Sequence, residues 1–389
     1  MKSGEFFRNA NRSGLWFEAK AIHRSTLTKA RSKVDWQIFR DLLNEAVALA
    51  YELWPVSPNY LWHGMTVYAV DGSKYTLPAT EDIRKEFDPK SGLQNSGKGH
   101  YPQCLVNTVY DVFRRIPVAR SVVNVNSSER EEFTHLLPFV ASESVLLFDR
   151  GYPSYGLIVH LIESFKGFFI FRCPAQSTFP AVEAFTKSGK EEDVIWIAPT
   201  GKFLNKLSAK QKRKKLCAIK LRVIKLVSPD GTVSCLLTNL YGKQFLREEI
   251  VDLYFRRWEI ESYYRDEKVV MEVEGFHGKT CNSIRQELFA AVIMTVISRT
   301  LVELSSQGNC EERIKPQSKN AIMTLAAEAA VLAADDPERA IQIFQDILTE
   351  FRRVKYYRPE NPRPSQPRVT KRNINKWAIS KTKKVTANA

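Results

Sequence analysis

The segment from Thr66 to Pro174 constrains the fold most, because it alternates between strand-like and helix-like patterns. TVYAVDGSKYTL is rich in β-branched and aromatic residues, which predicts a strand that ends near Asp71. YPQCLVNTVYDVFRRIPVARSVVNV predicts two strands joined by a tight turn. Helical SSEREEFTHLLPFV, strand-like VLLFDRGY, helical PSYGLIVHLIESF and strand-like GFFIFRCP follow in that order. This succession predicts an α/β layer.

The flanking parts of the chain carry other patterns. Several strand-like runs and a PDG turn predict a β-rich insertion, whereas residues 15–54 and the chain from Phe245 to about Lys355 are expected to be helical. The Pro- and Arg-rich end is expected to be extended or disordered. The predicted units are a helical N-terminal region at 1–62, the first part of the core at 63–173, the insertion at 174–240, a core helix at 241–275, a C-terminal helical region at 276–354 and a basic tail at 355–389.

The charge of the chain is large and concentrated at its ends. The net charge is +15, and the tail from Arg352 holds twelve Lys or Arg against one acid. This distribution indicates a polyanion partner, most simply nucleic acid, although a basic protein without such a partner is an alternative. The six cysteines form no CxxC pair, so neither a zinc site nor a disulfide framework is expected. No signal peptide or membrane span is expected, which predicts a cytoplasmic protein.

Three acidic residues are candidates for one catalytic centre. Asp71 and Asp149 each follow an apolar strand, and ligands of open α/β sheets gather at the carboxyl ends of strands. Glu261, on a later helix, is expected to join them. Clustered carboxylates repel one another unless a cation lies between them, and oxygen ligands select Mg²⁺ or Mn²⁺. Two such ions would support phosphodiester chemistry. Each aspartate alone is more typical of a turn.

A cationic and aromatic stripe surrounds Glu261 in the segment YFRRWEIESYYRDEK. On one α-helix, Tyr254, Arg257, Glu261, Arg265 and Lys268 would all fall within an arc of about 80°. The cationic and aromatic residues of this stripe are expected to bind DNA phosphates, although a solvated helix face is the common alternative. Trp258 and Tyr264 on the same helix are expected to be core or helix-packing residues, with base reading as the less favoured alternative. Further candidate DNA contacts lie in two other basic segments: Lys29, Arg31, Lys212, Arg213, Lys214 and Lys215.

The spacing of Tyr254, Arg257, Glu261 and Lys268 resembles the Y-R-E-K signature of bacterial insertion-sequence transposases of the fourth family (IS-four). VDGSKYTLP and FDRGYPSYGL resemble the two aspartate motifs of that family, and GFHGKT resembles the segment after the signature helix. The resemblance covers roughly residues 25–375. It implies an RNase H-like catalytic core, a mixed sheet with helices, interrupted by a β-rich insertion and flanked by helical N-terminal and C-terminal regions.

The resemblance also implies a function, which is cut-and-paste DNA transposition. Asp71, Asp149 and Glu261 would hold two Mg²⁺ ions, or Mn²⁺ in their place. A homodimer would bring together the inverted-repeat ends of double-stranded DNA, cleave them through a hairpin, and join them to target DNA. Relatives stack a flipped base on a tryptophan where this chain has Ser234 and Cys235. Either Trp196, Phe203 or Tyr241 would replace that tryptophan, or the hairpin step would differ. Two alternatives remain open: a catalytically idle DNA-binding repressor and an RNase H-like nuclease.

Overall fold

The computed structural model describes residues 24–91, 100–176, 178–206, 216–227, 231–306, 314–316, 321–325, 337–353 and 355–357. Its strands are β1 (Val67–Thr76), β2 (Gln103–Asp111), β3 (Ile116–Asn124), β4 (Val145–Phe148), β5 (Phe168–Pro174), β6 (Glu192–Ile197), β7 (Ile219–Val227), β8 (Val233–Thr238), β9 (Ile314–Pro316) and β10 (Lys355–Tyr357). Its helices are α1 (Arg24–Ser32), α2 (Trp36–Leu53), α3 (Glu81–Phe87), α4 (Glu129–Leu136), α5 (Tyr155–Ser164), α6 (Pro180–Lys187), α7 (Gly201–Lys206), α8 (Arg247–Phe255), α9 (Trp258–Arg265), α10 (Cys281–Ser306) and α11 (Pro337–Arg353).

Strands β1 to β8 form a single mixed sheet in the order β3-β2-β1-β4-β5-β8-β7-β6. The pairs β1–β4 and β4–β5 are parallel, and the other neighbours are antiparallel. A sheet of both pair types with crossover helices confirms the predicted α/β class. The first five strands combine parallel and antiparallel pairs, as expected for the mixed sheet that the resemblance implies.

The short strand β4 shows why the centre of this sheet lies where it does. All four residues of its VLLF sequence are buried. A continuous apolar run suits a strand that is covered on both faces, because a half-exposed strand would alternate between apolar and polar residues. Phe148 also stacks on Phe171 of the neighbouring strand β5, with ring centroids 4.6 Å apart. The predicted strand before Asp149 is therefore confirmed as a core strand.

The strands of the predicted insertion extend the core sheet. β8 pairs with β5, placing Ser234 opposite Pro174 and Cys235 opposite Cys173. β7 and β6 continue outward from β8. Helix α6 lies between β5 and β6, and α7 lies between β6 and β7. The β-strand content of residues 174–240 is therefore confirmed, whereas the unit boundaries remain predictions.

The long apolar helix α10 packs against α2, and the rings of Phe289 and Trp36 stack 5.6 Å apart. Asn282 accepts a hydrogen bond from the Trp36 backbone and donates to the backbone carbonyl of Val34. By length and composition α10 is the one helix among the described residues that is apolar enough to cross a membrane, but 56% of its most apolar window is buried inside the protein. Its apolar residues are therefore explained by core packing.

The C-terminal region differs from the prediction of continuous helix between Phe245 and Lys355. The chain between α9 and α10 contains a loop at residues 271–280. Strand β9 pairs antiparallel with β10 in a separate two-stranded sheet. The helical prediction is therefore wrong at these two places, and the predicted extended end is observed at 355–357. Residues 358–389 lie outside the described part of the chain.

Candidate catalytic site

Asp71 and Asp149 meet at the place where the parallel pairing of β1 and β4 stops. The last paired residues are Val70 and Phe148, so the two aspartates are the next residues of neighbouring strands. The prediction that β1 ends near Asp71 is wrong, because the antiparallel ladder with β2 continues to Thr76. Asp149 does follow the end of β4. The two aspartates thus meet where the shorter strand, β4, ends.

The helix expected to carry the cationic stripe is interrupted. Helix α8 ends at Phe255, the backbone turns at Arg256 and Arg257, and α9 begins at the next residue. A π-helical turn, Asp266–Val270, then follows α9. The predicted stripe on one regular helix is therefore wrong, since two changes of helical geometry separate its first and last members.

Arg257 lies in this turn, where it connects two of the three candidate acids. Its Nη2 atom donates to Oε1 of Glu261 at 2.7 Å and lies 3.9 Å from Oδ1 of Asp149. The arginine side chain is only 3% exposed, whereas both carboxylates are partly open to solvent. The short interruption between α8 and α9 thus places one buried cation among the acids.

The pKa of the Asp71 carboxyl reflects its burial and the charged groups around it. Burial raises the pKa of its carboxyl to about 7. The Arg257 guanidinium opposes that shift, while the negative charges of Glu129, Asp149 and Glu261 add to it. Desolvation and neighbouring acids both disfavour the charged carboxylate. The site therefore holds more acidic groups than its one arginine compensates.

The donor set fits a divalent cation in its chemistry. Carboxylate oxygens are the ligands that Mg²⁺ and Mn²⁺ prefer, and a cation would relieve the repulsion that raises the pKa of Asp71. No group of three His, Cys, Asp or Glu side chains stands at metal-ligating spacing within the described ranges. Arg257 supplies positive charge between Asp149 and Glu261 in this arrangement.

Comparison with known proteins identifies the family. A model of the transposase DDE domain matches residues 62–297, which is more than half of the chain and contains all three candidate acids. The chain belongs to the DDE transposase family. The predicted family resemblance is thereby confirmed, whereas the roles of the individual Y-R-E-K residues remain predictions.

Two transposases are similar in sequence to this family member. The transposase InsG for insertion sequence element IS4 of Escherichia coli (strain K12) is 25% identical over 69% of this chain and 59% of its own length. The putative transposase y4zB of Sinorhizobium fredii (strain NBRC 101917 / NGR234) is 26% identical over 51% of this chain and 54% of its own length. The chain thus spans somewhat more than half the length of these relatives.

A solved structure also aligns with this transposase-family chain. It is a cryo-EM structure of the piggyBac transposase synaptic complex with hairpin DNA. The alignment covers 77% of this chain and 59% of the other, with 9% sequence identity and a TM-score of 0.42.

Two of the predicted phosphate-binding residues are largely buried beside the acids. Tyr254 is 1% exposed, and its hydroxyl makes no hydrogen bond of good geometry among the described residues. Nε and Nη1 of Arg257 also have no hydrogen-bond partner there. Buried polar groups are normally paired, so unpaired donors beside the acids require a partner such as a ligand, an ion or a water molecule.

Lys268 reaches the same strand as Asp71 from the π-helical turn. Its Nζ atom donates to Ser73 Oγ at 2.8 Å and to the Lys74 backbone carbonyl at 2.7 Å, and it lies 4.4 Å from the centre of the Tyr75 ring. Burial lowers the pKa of the Lys268 ammonium, with nearby acids opposing the shift. An ammonium has three N–H donors. Two of them fix the turn against β1, and no third hydrogen bond of this ammonium is formed within the described residues.

The remaining DNA-binding candidates are dispersed. Arg265 and Lys29 are exposed. Arg31 is bound to α10, because it forms an ion pair with Glu287 at 2.8 Å and donates to the Gln286 side chain. This contact gives Arg31 a structural role that the sequence analysis did not predict. The other four candidates, Lys212, Arg213, Lys214 and Lys215, lie outside the described residues.

A cavity of about 550 Å³ opens beside Tyr254. Its aromatic lining is formed by Tyr254, Phe255 and Trp258, and basic and acidic side chains complete the wall. Trp258 is 47% exposed, which excludes the predicted core position, whereas helix packing and its alternative, base reading, stay predictions for this residue. Tyr264 is buried, and its hydroxyl donates to the Asp71 backbone carbonyl at 2.8 Å, so the prediction of packing holds for that residue.

Replacing Asp71 with asparagine should stabilise the metal-free fold at pH 8. At pH 8 the wild-type carboxyl is charged in both the folded and the unfolded protein, and burial makes this charge costly in the folded protein. The melting temperature in chelator should therefore rise by about 2–4 °C, which corresponds to about 1 kcal/mol. This gain should shrink as the pH falls from about 7 and vanish below the unfolded pKa near 4. Thermal melts at pH 8 and pH 5 test this; a gain that is no larger at pH 8 would contradict it.

Proposed function

We propose that this protein is a DNA transposase that excises an insertion sequence and joins it to target DNA. The observation that carries the proposal is the gathering of Asp71, Asp149 and Glu261 around Arg257. Phosphodiester hydrolysis would free a 3′-hydroxyl at the element end, and transesterification would join that hydroxyl to the target strand. Membership of the DDE transposase family supports this assignment.

Divalent cations, Mg²⁺ or Mn²⁺ and two per site, would be held by Asp71, Asp149 and Glu261. When bound, they would activate the attacking oxygen and stabilise the leaving oxygen. The chain's own contribution is to bind and orient the phosphate. The unpaired donors of Arg257 and Tyr254 and the third N–H of Lys268 are suited to phosphate oxygens.

Double-stranded DNA is the proposed partner, as terminal inverted repeats and as target. The net charge of +15 supports salt-sensitive binding along its backbone. Lys29, Arg265 and the basic residues 212–215 are the proposed backbone contacts. A homodimer would hold both ends in a synaptic complex, in a bacterial cytoplasm and associated with the nucleoid. No membrane partner is proposed, since the apolar face of α10 packs within the fold.

Cleavage through a hairpin would require an unpaired base to leave the helix stack, and Trp258 is the best placed residue to receive it. The side chain lines the cavity next to Tyr254, with Arg257 over one ring face at 5.4 Å. The earlier candidates are placed less well: Phe203 packs on Tyr155, and neither Trp196 nor Tyr241 lines the cavity. Three basic and three acidic residues in the cavity wall suit a neutral base better than a second phosphate.

Trp258→Ala is therefore expected to reduce hairpin formation about 10- to 100-fold, because stacking of one base contributes about 1–3 kcal/mol. The initial nick should remain at the wild-type rate. Trp196→Ala is the matched control, since this tryptophan is exposed on β6 away from the cavity. Denaturing gels of cleavage time courses separate the two steps. Equal hairpin yields from both variants would refute the assignment.

The test of the function uses wild-type protein, Mg²⁺ and DNA that carries the flanking element ends. A transposase should nick at the ends, and paired-end complexes should accumulate in native gels. Tight binding of the ends without cleavage would favour the idle DNA-binding repressor. Cleavage without pairing of ends would favour a simple RNase H-like nuclease.

A further inference from the structure

Glu129, the first residue of α4, is an acidic residue that the three sequence motifs do not include. Its carboxyl lies directly against Gly72, because a Cβ atom on that glycine would stand 2.6 Å from Cδ of Glu129. The Asn107 amide donates to the Glu129 backbone carbonyl at 3.0 Å, and the Tyr152 hydroxyl is hydrogen-bonded to its side chain. Glu129 is therefore held against β1, at the residue next to Asp71.

The charge of Glu129 acts on the catalytic acids. The Glu129 carboxyl lies close enough to Asp71 for its negative charge to act on that residue, as do the charges of Asp149 and Glu261. Four carboxylates thus share one local field. Arg257 is the cation that most opposes it.

A ligand at this place is indicated independently by the unpaired donors. Arg257 is 2% exposed and Tyr254 is 1% exposed, yet Nε and Nη1 of the arginine and the tyrosine hydroxyl make no hydrogen bond of good geometry among the described residues. Within this part of the chain the tyrosine hydroxyl contacts only the Arg257 side chain, and loosely. Buried donors are suited to an anion, and an excess of carboxylates is suited to a cation. Together they fit a site that binds a divalent cation and a phosphate at once.

We propose that Glu129 is a fourth acidic ligand of the catalytic centre and shares a divalent cation with Asp71. Gly72 is the residue that permits this, since any side chain at that position would displace the Glu129 carboxyl. The proposal deepens the proposed function and rests on it. A role as a favourable charge at the start of α4 does not distinguish Glu129, because Glu131 and Glu132 lie in the same first turn.

The test compares Glu129→Gln with Glu131→Gln in the full chain. Glu131 is exposed on the same turn, so the control removes the same charge without touching the site. Mn²⁺ binding without DNA is measured by electron paramagnetic resonance, and end cleavage is measured on gels. Glu129→Gln should weaken Mn²⁺ binding about 10- to 100-fold and slow cleavage to a similar extent, with partial rescue at high Mn²⁺. Glu131→Gln should behave as wild type.

Equal Mn²⁺ affinities and equal cleavage rates for the two variants would overturn the proposal. Glu129→Asp provides a second test that retains the charge while it withdraws the carboxyl by one methylene, and intermediate Mn²⁺ affinity is expected. The Mn²⁺ measurement also distinguishes a failure of the proposed transposase function from a failure of the proposed role of Glu129. If wild-type protein binds Mn²⁺ without cleaving element ends, the proposed function fails, while the Mn²⁺ affinities of the variants still decide the role of Glu129.

Discussion

Replacing Glu261 with glutamine is expected to lower DNA end cleavage by about 1,000-fold or more while end binding stays intact. The carboxylate is partly exposed and contacts Arg257 at 2.7 Å, so glutamine can occupy the same space and accept the same hydrogen bond. Glutamine, however, lacks the negative charge that a divalent cation requires of its ligand. Loss of about 4 kcal/mol of transition-state stabilisation corresponds to that factor.

The matched control for this experiment is Glu259→Gln. Glu259 lies on the same helix α9 but pairs with Arg115, and both side chains are roughly a third exposed. Such a pair contributes about 1 kcal/mol or less. Cleavage on denaturing gels and end binding by fluorescence anisotropy should separate the two variants. Cleavage by Glu261→Gln at a rate near that of Glu259→Gln would remove Glu261 from the catalytic role.

The central part of the fold was predictable because its pattern is local. Strand β4 is a short apolar run followed by an aspartate, and β2 and β3 are joined by a tight turn. The neighbourhood of Asp71 and Asp149 follows from a general rule about strand ends. The exact end of β1 was not predictable, because its extension to Thr76 depends on antiparallel pairing with β2, which is distant in sequence.

The interruption between α8 and α9 illustrates what local patterns miss. The segment from Tyr254 to Lys268 contains no proline or glycine, so helical spacing predicts one regular helix. In the fold, Arg257 turns inward to the carboxylates and Trp258 is left at the cavity. The tertiary contacts of Arg257 with Asp149 and Glu261 therefore accompany a local geometry that helical spacing does not predict. No sequence signal marks Trp258 as exposed.

Glu129 was missed for a related reason. It lies in a run of acids, EREE, whose ordinary interpretation is a helix N-terminus, and that interpretation is correct for the helix. Only the approach to Gly72, more than fifty positions earlier, sets Glu129 apart from Glu131 and Glu132. A glycine inside a strand does signal close approach of another group, but it does not identify the group.

A second large effect is expected at a buried ion pair that the sequence analysis also missed. Arg120 and Glu267 have no exposed side-chain surface, and their two hydrogen bonds measure 2.6 and 2.8 Å. The Tyr75 hydroxyl donates to Glu267, and the Tyr263 hydroxyl accepts from Arg120. Glu267 belongs to the π-helical turn that also carries Lys268. The pair thus anchors the turn to β1 and β3.

Arg120→Met should lower the free energy of unfolding by about 3–5 kcal/mol, because Glu267 is left buried without its counter-ion. Arg115→Met, which breaks the half-exposed pair with Glu259, should cost about 1 kcal/mol or less. Urea denaturation of both variants measures the difference. Adding Glu267→Met to Arg120→Met should recover much of the loss, since an apolar pair removes the isolated charge. Equal destabilisation by the two single variants, or no recovery in the double variant, would show that the buried charge does not determine the stability of this turn.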